Sequence, residues 1–308
     1  MRLTNRLSHA LLGLAVATGA LTVGAGAAQA ASPAATAATA VTADATAAAQ
    51  TRSPVTDAPA VLGSAAYLMD AESGEVRFSK EADLRRPVAS ITKAMTAYTV
   101  LKQAKPTDKV KITTADVRYG AQGGASVAYL RAGDVLTVED LLYGLMLPSG
   151  ADAAHALARA YGPGVKTFVA EMNATARELG MNDTMYVNAD GMPYQGGGYS
   201  TARDQAMLAK ALLDDETLRT VTSTRYHSVS ATSEHGSYSW KNTNRLLGNP
   251  GVLGVKTGYT RAAGYTLAFA AEHDGDRLIG VLLGETDSSR RFETAQALLD
   301  WAAAADDR

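Results

Sequence analysis

From Val88 to Leu101 the chain is apolar nearly all round, interrupted by Ser90 and Lys93. A helical run with no continuous polar face predicts a helix buried on every side. Upstream, Ala65–Asp70, a turn over Ala71–Gly74, and Glu75–Ser79 predict a β-hairpin leading into that helix. Downstream, Thr137-x-x-Asp140 opens a helix with Leu141, Leu142, Leu145 and Met146 on its apolar side. Pro148-Ser149-Gly150 breaks it, and Asp152 restarts a helix that runs to Tyr161 and stops at Gly162-Pro163. Val165, Phe168, Val169, Met172, Ala176 and Leu179 recur at helical spacing and predict a surface helix with one core face. A glycine-rich loop spans Asn188–Gly198, and Thr201-x-x-Asp204 caps a helix over Ala202–Leu213.

After about Thr222 the pattern turns from helix to strand: Arg225–Ala231, Gly236–Trp240, Gly251–Thr260, Gly264–Ala271 and Arg277–Gly284. Asp274-Gly275 joins the last two as a hairpin turn, and Ser289–Ala303 closes the chain as a helix. Strands therefore lie at both ends and helices fill the middle. This predicts an α+β fold, an antiparallel sheet flanked by helices with an inserted helical subdomain, and the seam between them is the natural cleft.

The N-terminus changes the picture of where the protein works. Arg2 and Arg6, an apolar Ala10–Val23 and the small-x-small Ala28-Gln29-Ala30 read as an export signal over 1–30. Residues 31–53 collapse to Ala and Thr and read as a linker. That leaves 54–308 as the folded domain. The 308 residues contain no cysteine, so an exported chain has neither disulfides nor a thiol nucleophile. The net charge of −2, with both signs interspersed, shows no basic stripe for nucleic acid.

Candidate chemistry begins at Ser90 and Lys93. Three residues apart on a helix, they share a face. Burial lowers a lysine pKa by disfavouring its charged form, and a neutral lysine beside a hydroxyl is a base beside a nucleophile. Ser149 stands at a sharp break between two buried helices. Lys256-Thr257-Gly258 lies within a strand, a cation and a hydroxyl followed by a glycine that lets a ligand approach the backbone. Gly164-Val165-Lys166-Thr167-Phe168 repeats the first part of Gly254-Val255-Lys256-Thr257-Gly258 but puts Phe168 where the glycine would be, and on an amphipathic helix it is structural. His155, His227, His235 and His273 have no G-x-S-x-G partner. No H-E-x-x-H spacing supports a metal and no G-x-x-x-x-G-K-[ST] loop a nucleotide, so neither metal nor cofactor is expected.

Ser90-Ile91-Thr92-Lys93, Ser149-Gly150-Ala151 and Lys256-Thr257-Gly258, in that order after an export signal, resemble the low-molecular-mass penicillin-binding proteins, the serine-type D-alanyl-D-alanine carboxypeptidases. The resemblance covers about Ala65 to Trp301 and implies the DD-peptidase/β-lactamase fold. It implies that Ser90 forms an acyl-enzyme, Lys93 accepts its proton and Ser149 relays a proton to the leaving D-alanine amine. Lys256 and Thr257 would hold the substrate's terminal carboxylate, with Gly258 beside them, and the backbone N–H groups of Ser90 and Tyr259 would form the oxyanion hole. The implied partners are peptidoglycan stem peptides ending in D-Ala-D-Ala, with β-lactams as inhibitors and a site of action on the cell-wall side of the membrane.

Two departures stand out. The second motif usually ends in Asn, and here Ala151 carries no side-chain amide. Many relatives also continue into a further domain and a membrane anchor, whereas here a bare catalytic domain with no stable anchor is expected. Two other readings compete with the peptidase. A β-lactamase needs a glutamate to activate the deacylating water, and Glu171 and Glu178 lack the E-x-x-L-N setting. A non-catalytic wall-binding or β-lactam-sensing module would account for Ala151 and the long spacer, although a protein of that kind usually loses its nucleophile or base first.

Overall fold

The structure is a computed structural model, which describes residues 58–193 and 197–306. The expected export signal and linker lie outside the described residues. Strands β1 (Ala65–Asp70) and β2 (Val76–Lys80) form the hairpin, and a 3₁₀ turn at Ala89–Ile91 enters α1 (Thr92–Leu101). There follow β3 (Lys109–Lys111), α2 (Thr114–Gly120), β4 (Val135–Thr137), α3 (Val138–Met146), α4 (Ala151–Tyr161) and α5 (Val165–Glu178). Next come α6 (Ala202–Asp214), α7 (Glu216–Ser223), β5 (Tyr226–Val229) and β6 (Tyr238–Lys241). The chain closes with β7 (Val252–Thr260), β8 (Gly264–His273), β9 (Asp276–Glu285) and α8 (Arg290–Asp306).

The main sheet is antiparallel, in the order β2-β1-β9-β8-β7, so the two ends of the domain meet where β1 pairs with β9. Both faces are covered. Ala66, Leu68, Leu267, Phe269 and Leu282 pack under α8 through Leu298 and Leu299. Tyr67, Met69, Ala268, Ala270, Ile279 and Val281 face the inserted helices. This explains why β1 has no polar alternation: every one of its residues is buried. The Asp274-Gly275 turn between β8 and β9 has positive φ at both residues, as a tight hairpin requires.

Helix α1 runs through the middle of the insertion, packed by α3, α4, α5 and α6. Ten residues are too few to hold a helix in water alone, and its order comes from burial of Ala94, Met95, Ala97 and Val100. Thr137 and Thr201 cap α3 and α6 by accepting from the N–H groups of Asp140 and Asp204, as the sequence predicts. The copy of the lysine motif at 164–168 opens α5, with Phe168 fully buried.

Three features differ from the sequence expectation. The segments expected as strands over 225–231 and 236–240 pair only with each other, as the β5–β6 ribbon, and do not extend the main sheet. Helix α7 fills 216–223, and α2 with the β3–β4 ribbon fills 109–137. None of the helices among the described residues is long and apolar enough to cross a membrane.

Candidate active site

The sharp entry to α1 puts Ser90 at the seam of the two layers. Ala89, immediately before it, has φ of 52°, and Gly191 crowds it so closely that a Cβ there would lie 1.9 Å from the Ala89 carbonyl oxygen. Lys93, on the first turn of α1, is buried, and its Nζ lies 3.0 Å from Ser90 Oγ and 2.8 Å from the Asp190 carbonyl oxygen. Burial brings the Lys93 pKa down from 10.5 to about 8, against the opposing pull of the Asp190 and Asp152 carboxylates. A neutral fraction of the amine is thus present near neutral pH and grows as the pH rises towards 8, while the group stays hydrogen-bonded to the hydroxyl.

Asp190 is held by its loop. Asn188 Oδ1 accepts from the Gly191 N–H at 2.7 Å, and Asn188 Nδ2 donates to the Met192 carbonyl at 2.7 Å. On the other side, Ser149 sits between α3 and α4 with φ of 69°, a conformation unusual for a residue with a Cβ. Its Oγ is buried and has no hydrogen-bond partner among the described residues. Asp152 pins the adjacent segment by accepting from the Ala128 and Leu130 N–H groups at 2.8 and 3.0 Å.

A cleft of about 470 Å³ opens along β7, lined by Ser90, Ser149, Thr257, Gly258 and Tyr259 together with Ser126, Thr243 and Arg291. Five of the seven residues singled out in the sequence share this surface, and Lys93 and Lys256 lie beneath it. Lys256 is 1% exposed, its Nζ donates to the Thr257 carbonyl at 3.0 Å, and burial, with Lys93 and Arg291 nearby, holds its pKa well below the usual lysine value. Thr257 Oγ1 lies 2.6 Å from Thr243 Oγ1. Ala151 is fully buried, its N–H donating to the Ser126 carbonyl at 2.8 Å, and it does not line the cleft.

Gly258 is where strand and nucleophile turn meet. A Cβ at that position would lie 2.4 Å from Thr266 Oγ1 and 3.0 Å from the Ser90 nitrogen. Thr266 cannot swing aside freely, because its hydroxyl donates to the Val88 carbonyl at 3.0 Å. Gly258→Ala is therefore expected to push β7 off the Ser90 turn and to destabilise by about 1–3 kcal/mol. Thermal melting together with the rate of Ser90 acylation checks this, and both are expected to fall.

Arg291 carries no local motif. It reaches the cleft from α8, its Nη1 donating to the Gly258 and Thr266 carbonyls at 2.9 and 3.2 Å, while burial and Arg245 bring its pKa down to about 10. The alternatives lose ground on geometry. Glu171 bonds Gln103 and Glu178 pairs with Lys102, at the end of α1 away from Ser90. None of His155, His227, His235 and His273 lines the cleft, and no cluster of metal-binding side chains occurs among the described residues.

An antiparallel sheet with a helical insertion, and a serine hydrogen-bonded to a buried lysine at their seam, define the DD-peptidase class of fold. The sequence matches the D-alanyl-D-alanine carboxypeptidase family profile over residues 51–287. It is 39% identical to a D-alanyl-D-alanine carboxypeptidase of Streptomyces sp. strain K15 over 256 residues, covering 79% of this chain and 88% of that protein. The carboxypeptidase DacC of Escherichia coli is 37% identical over 257 residues, covering 80% of this chain but 62% of DacC. The crystal structure of the Streptomyces K15 DD-transpeptidase superposes with a TM-score of 0.77 at 38% identity, covering 81% of this chain and 100% of that one. The chain belongs to the D-alanyl-D-alanine carboxypeptidase family.

Proposed function

We propose that residues 54–308 are the catalytic domain of a serine-type D-alanyl-D-alanine peptidase that cleaves the terminal D-alanine from peptidoglycan stem peptides. The observation that carries this reading is the 3.0 Å contact between Ser90 Oγ and the Nζ of a fully buried lysine whose pKa is brought to about 8. Neutral Lys93 takes the Ser90 proton as Oγ attacks the carbonyl of the penultimate D-alanine. The oxyanion that forms is stabilised by the backbone N–H groups of Ser90 and Tyr259.

Collapse breaks the peptide bond, and the departing amine takes a proton through Ser149 Oγ from the Lys93 ammonium. Water then adds to the acyl-enzyme, giving a proton to Lys93, and collapse expels Ser90 Oγ, which takes that proton back; an amine in place of water gives transpeptidation. The terminal carboxylate lies against the Thr257 hydroxyl and the Arg291 guanidinium. Lys256, which is buried and bonded to its own strand, lies beneath them. A β-lactam presents a strained cyclic amide and a carboxylate in the place of the peptide, and acylates the same serine. The place of action is the cell-wall side of the membrane, reached through the export signal at 1–30 and the linker at 31–53.

The test is the intact mass of the protein after brief exposure to benzylpenicillin. The expected result is an added mass of one drug molecule on the native protein and none on Ser90→Ala. An unmodified native protein beside intact drug would overturn the assignment of Ser90. An unmodified protein beside hydrolysed drug would turn the reading to a β-lactamase.

A further inference from the structure

Beyond the β5–β6 ribbon the chain runs Asn242-Thr243-Asn244-Arg245, and its side chains point alternately to two different places. Thr243 lines the cleft, while Asn242 and Asn244 are buried on the other side and line a separate pocket of about 160 Å³. Arg225, Tyr226, Lys241, Arg245 and Gly248 complete that pocket. It gathers three cations and no carboxylate, and none of the three makes an ion pair among the described residues. Lys241 lies over the Tyr226 ring at 5.6 Å and Arg245 over the Phe292 ring at 4.9 Å; the field of Arg245 also reaches the Asp287 carboxylate, which lies outside the pocket lining. Like charges lining one concavity with no carboxylate among the lining residues repel one another, and a bound anion relieves that repulsion.

The second observation is Asn244. Its side chain is 4% exposed, and its Oδ1 accepts from the Leu246 N–H at 3.1 Å, which fixes which way the amide faces. Nδ2 is thereby left as a buried donor with no acceptor. The neighbouring Asn242 is in contrast satisfied: its Oδ1 accepts from the Asn244 N–H at 2.9 Å and its Nδ2 donates to the Thr224 carbonyl at 3.0 Å. A buried donor without a partner calls for an acceptor that the chain does not supply.

Two arginines, a lysine and the asparagine with the unpaired N–H line this one pocket, a donor-only set without a carboxylate that suits an oxyanion. We propose that this pocket binds a phosphate group. Tyr226, 58% exposed at the rim, offers a face to a carbon chain attached to that phosphate. The site lies one residue from the cleft, because Thr243 separates its two asparagines.

Isothermal calorimetry at constant ionic strength tests the proposal, with inorganic phosphate and a glycerol-phosphate oligomer as probes. Saturable binding of one phosphate per chain is expected, with sulfate competing and acetate failing to compete. Lys241→Glu changes only an exposed charge, and Asn244→Asp keeps the acceptor for Leu246 while replacing the free donor with a negative oxygen. Each is expected to weaken binding at least tenfold without lowering the melting temperature by more than a degree or two, and Lys241→Glu is expected to acylate with benzylpenicillin like the native protein. An oligomer that binds more tightly per phosphate than the free ion identifies a phosphodiester chain as the source, and equal affinity per phosphate identifies free phosphate. Absence of saturable binding, or binding that survives both substitutions, overturns the proposal.

Discussion

Lys93→Met is expected to lower the rate of D-alanine release by on the order of 10³-fold while leaving the protein at least as stable as the native form near pH 7. The two effects separate because burial works against the lysine. Its pKa falls to about 8 in the fold against 10.5 in the unfolded chain. Between those two values the unfolded chain holds a proton that the folded one has released, so stability rises with pH across this window and is lower below it. A methionine of similar length fills the site without a charge to desolvate, which offsets the loss of the bonds to Ser90 and the Asp190 carbonyl. Activity follows the same titration. Below about 8 the amine is mostly protonated and cannot accept the Ser90 proton. The acylation rate of the native protein should therefore rise about tenfold per pH unit up to that point and level off above it. Stopped-flow acylation between pH 5.5 and 9.5, alongside thermal melting of both proteins, measures the split. A variant that melts far below the native protein would show a structural role for Lys93, and a flat profile would remove it as the base.

What was legible in the sequence follows the range of the interactions. Ser90 and Lys93 are neighbours because a helix makes them so, and the apolar run around them declared their burial. The caps at Thr137 and Thr201 and the Asp274-Gly275 turn are equally local. Arg291 reaches the Gly258 carbonyl across 33 residues, and Thr243 meets Thr257 across 14. Side chains of this kind are brought to the cleft by the packing of α8 and by the end of the β5–β6 ribbon, which no spacing encodes. Asp190 contributes a backbone carbonyl to Lys93, and every residue type has one. The separation of the β5–β6 ribbon from the main sheet was hidden for a related reason: a strand's alternation marks one buried face but not its partner. Helix α2 is a different case. Thr113-x-x-Asp116 is the same capping signal that opens α3 and α6, but only seven helical residues follow it, with too little apolar periodicity to mark a helix.

That same Asp116 should give a large loss of stability for a polar position away from the cleft. Its carboxylate is fully buried, and it receives Arg159 Nε and Nη2 at 3.0 and 2.9 Å, His155 Nδ1 at 2.7 Å, and the Thr113 N–H and hydroxyl at 2.8 and 2.7 Å. Burial by itself would push the carboxyl pKa up, but these donors together hold it well below the usual carboxylate range. Asp116→Ala removes the shared acceptor of all of them, strips the carboxylate half from the capping box of α2 and leaves Arg159 with the Lys111 carbonyl but no counter-charge. Breaking a buried pair in this way costs about 3–5 kcal/mol, which for a domain of this size lowers the melting temperature by roughly 6–20 °C. Because the folded pKa is depressed, the stabilisation is complete above the unfolded value of 3.8 and is lost only as pH falls through the folded one. The gap between native and variant should therefore be constant from pH 5 to 8 and shrink only in strong acid. The consequence reaches the site, since the network ties α2 to α4. The segment after α2 supplies Gly123, Gly124 and Ser126 to one wall of the cleft, and α4 begins two residues after Ser149. At temperatures where Asp116→Ala remains folded, its acylation by benzylpenicillin should be slower than that of the native protein, and equal rates would show that the cleft wall holds its shape without the network.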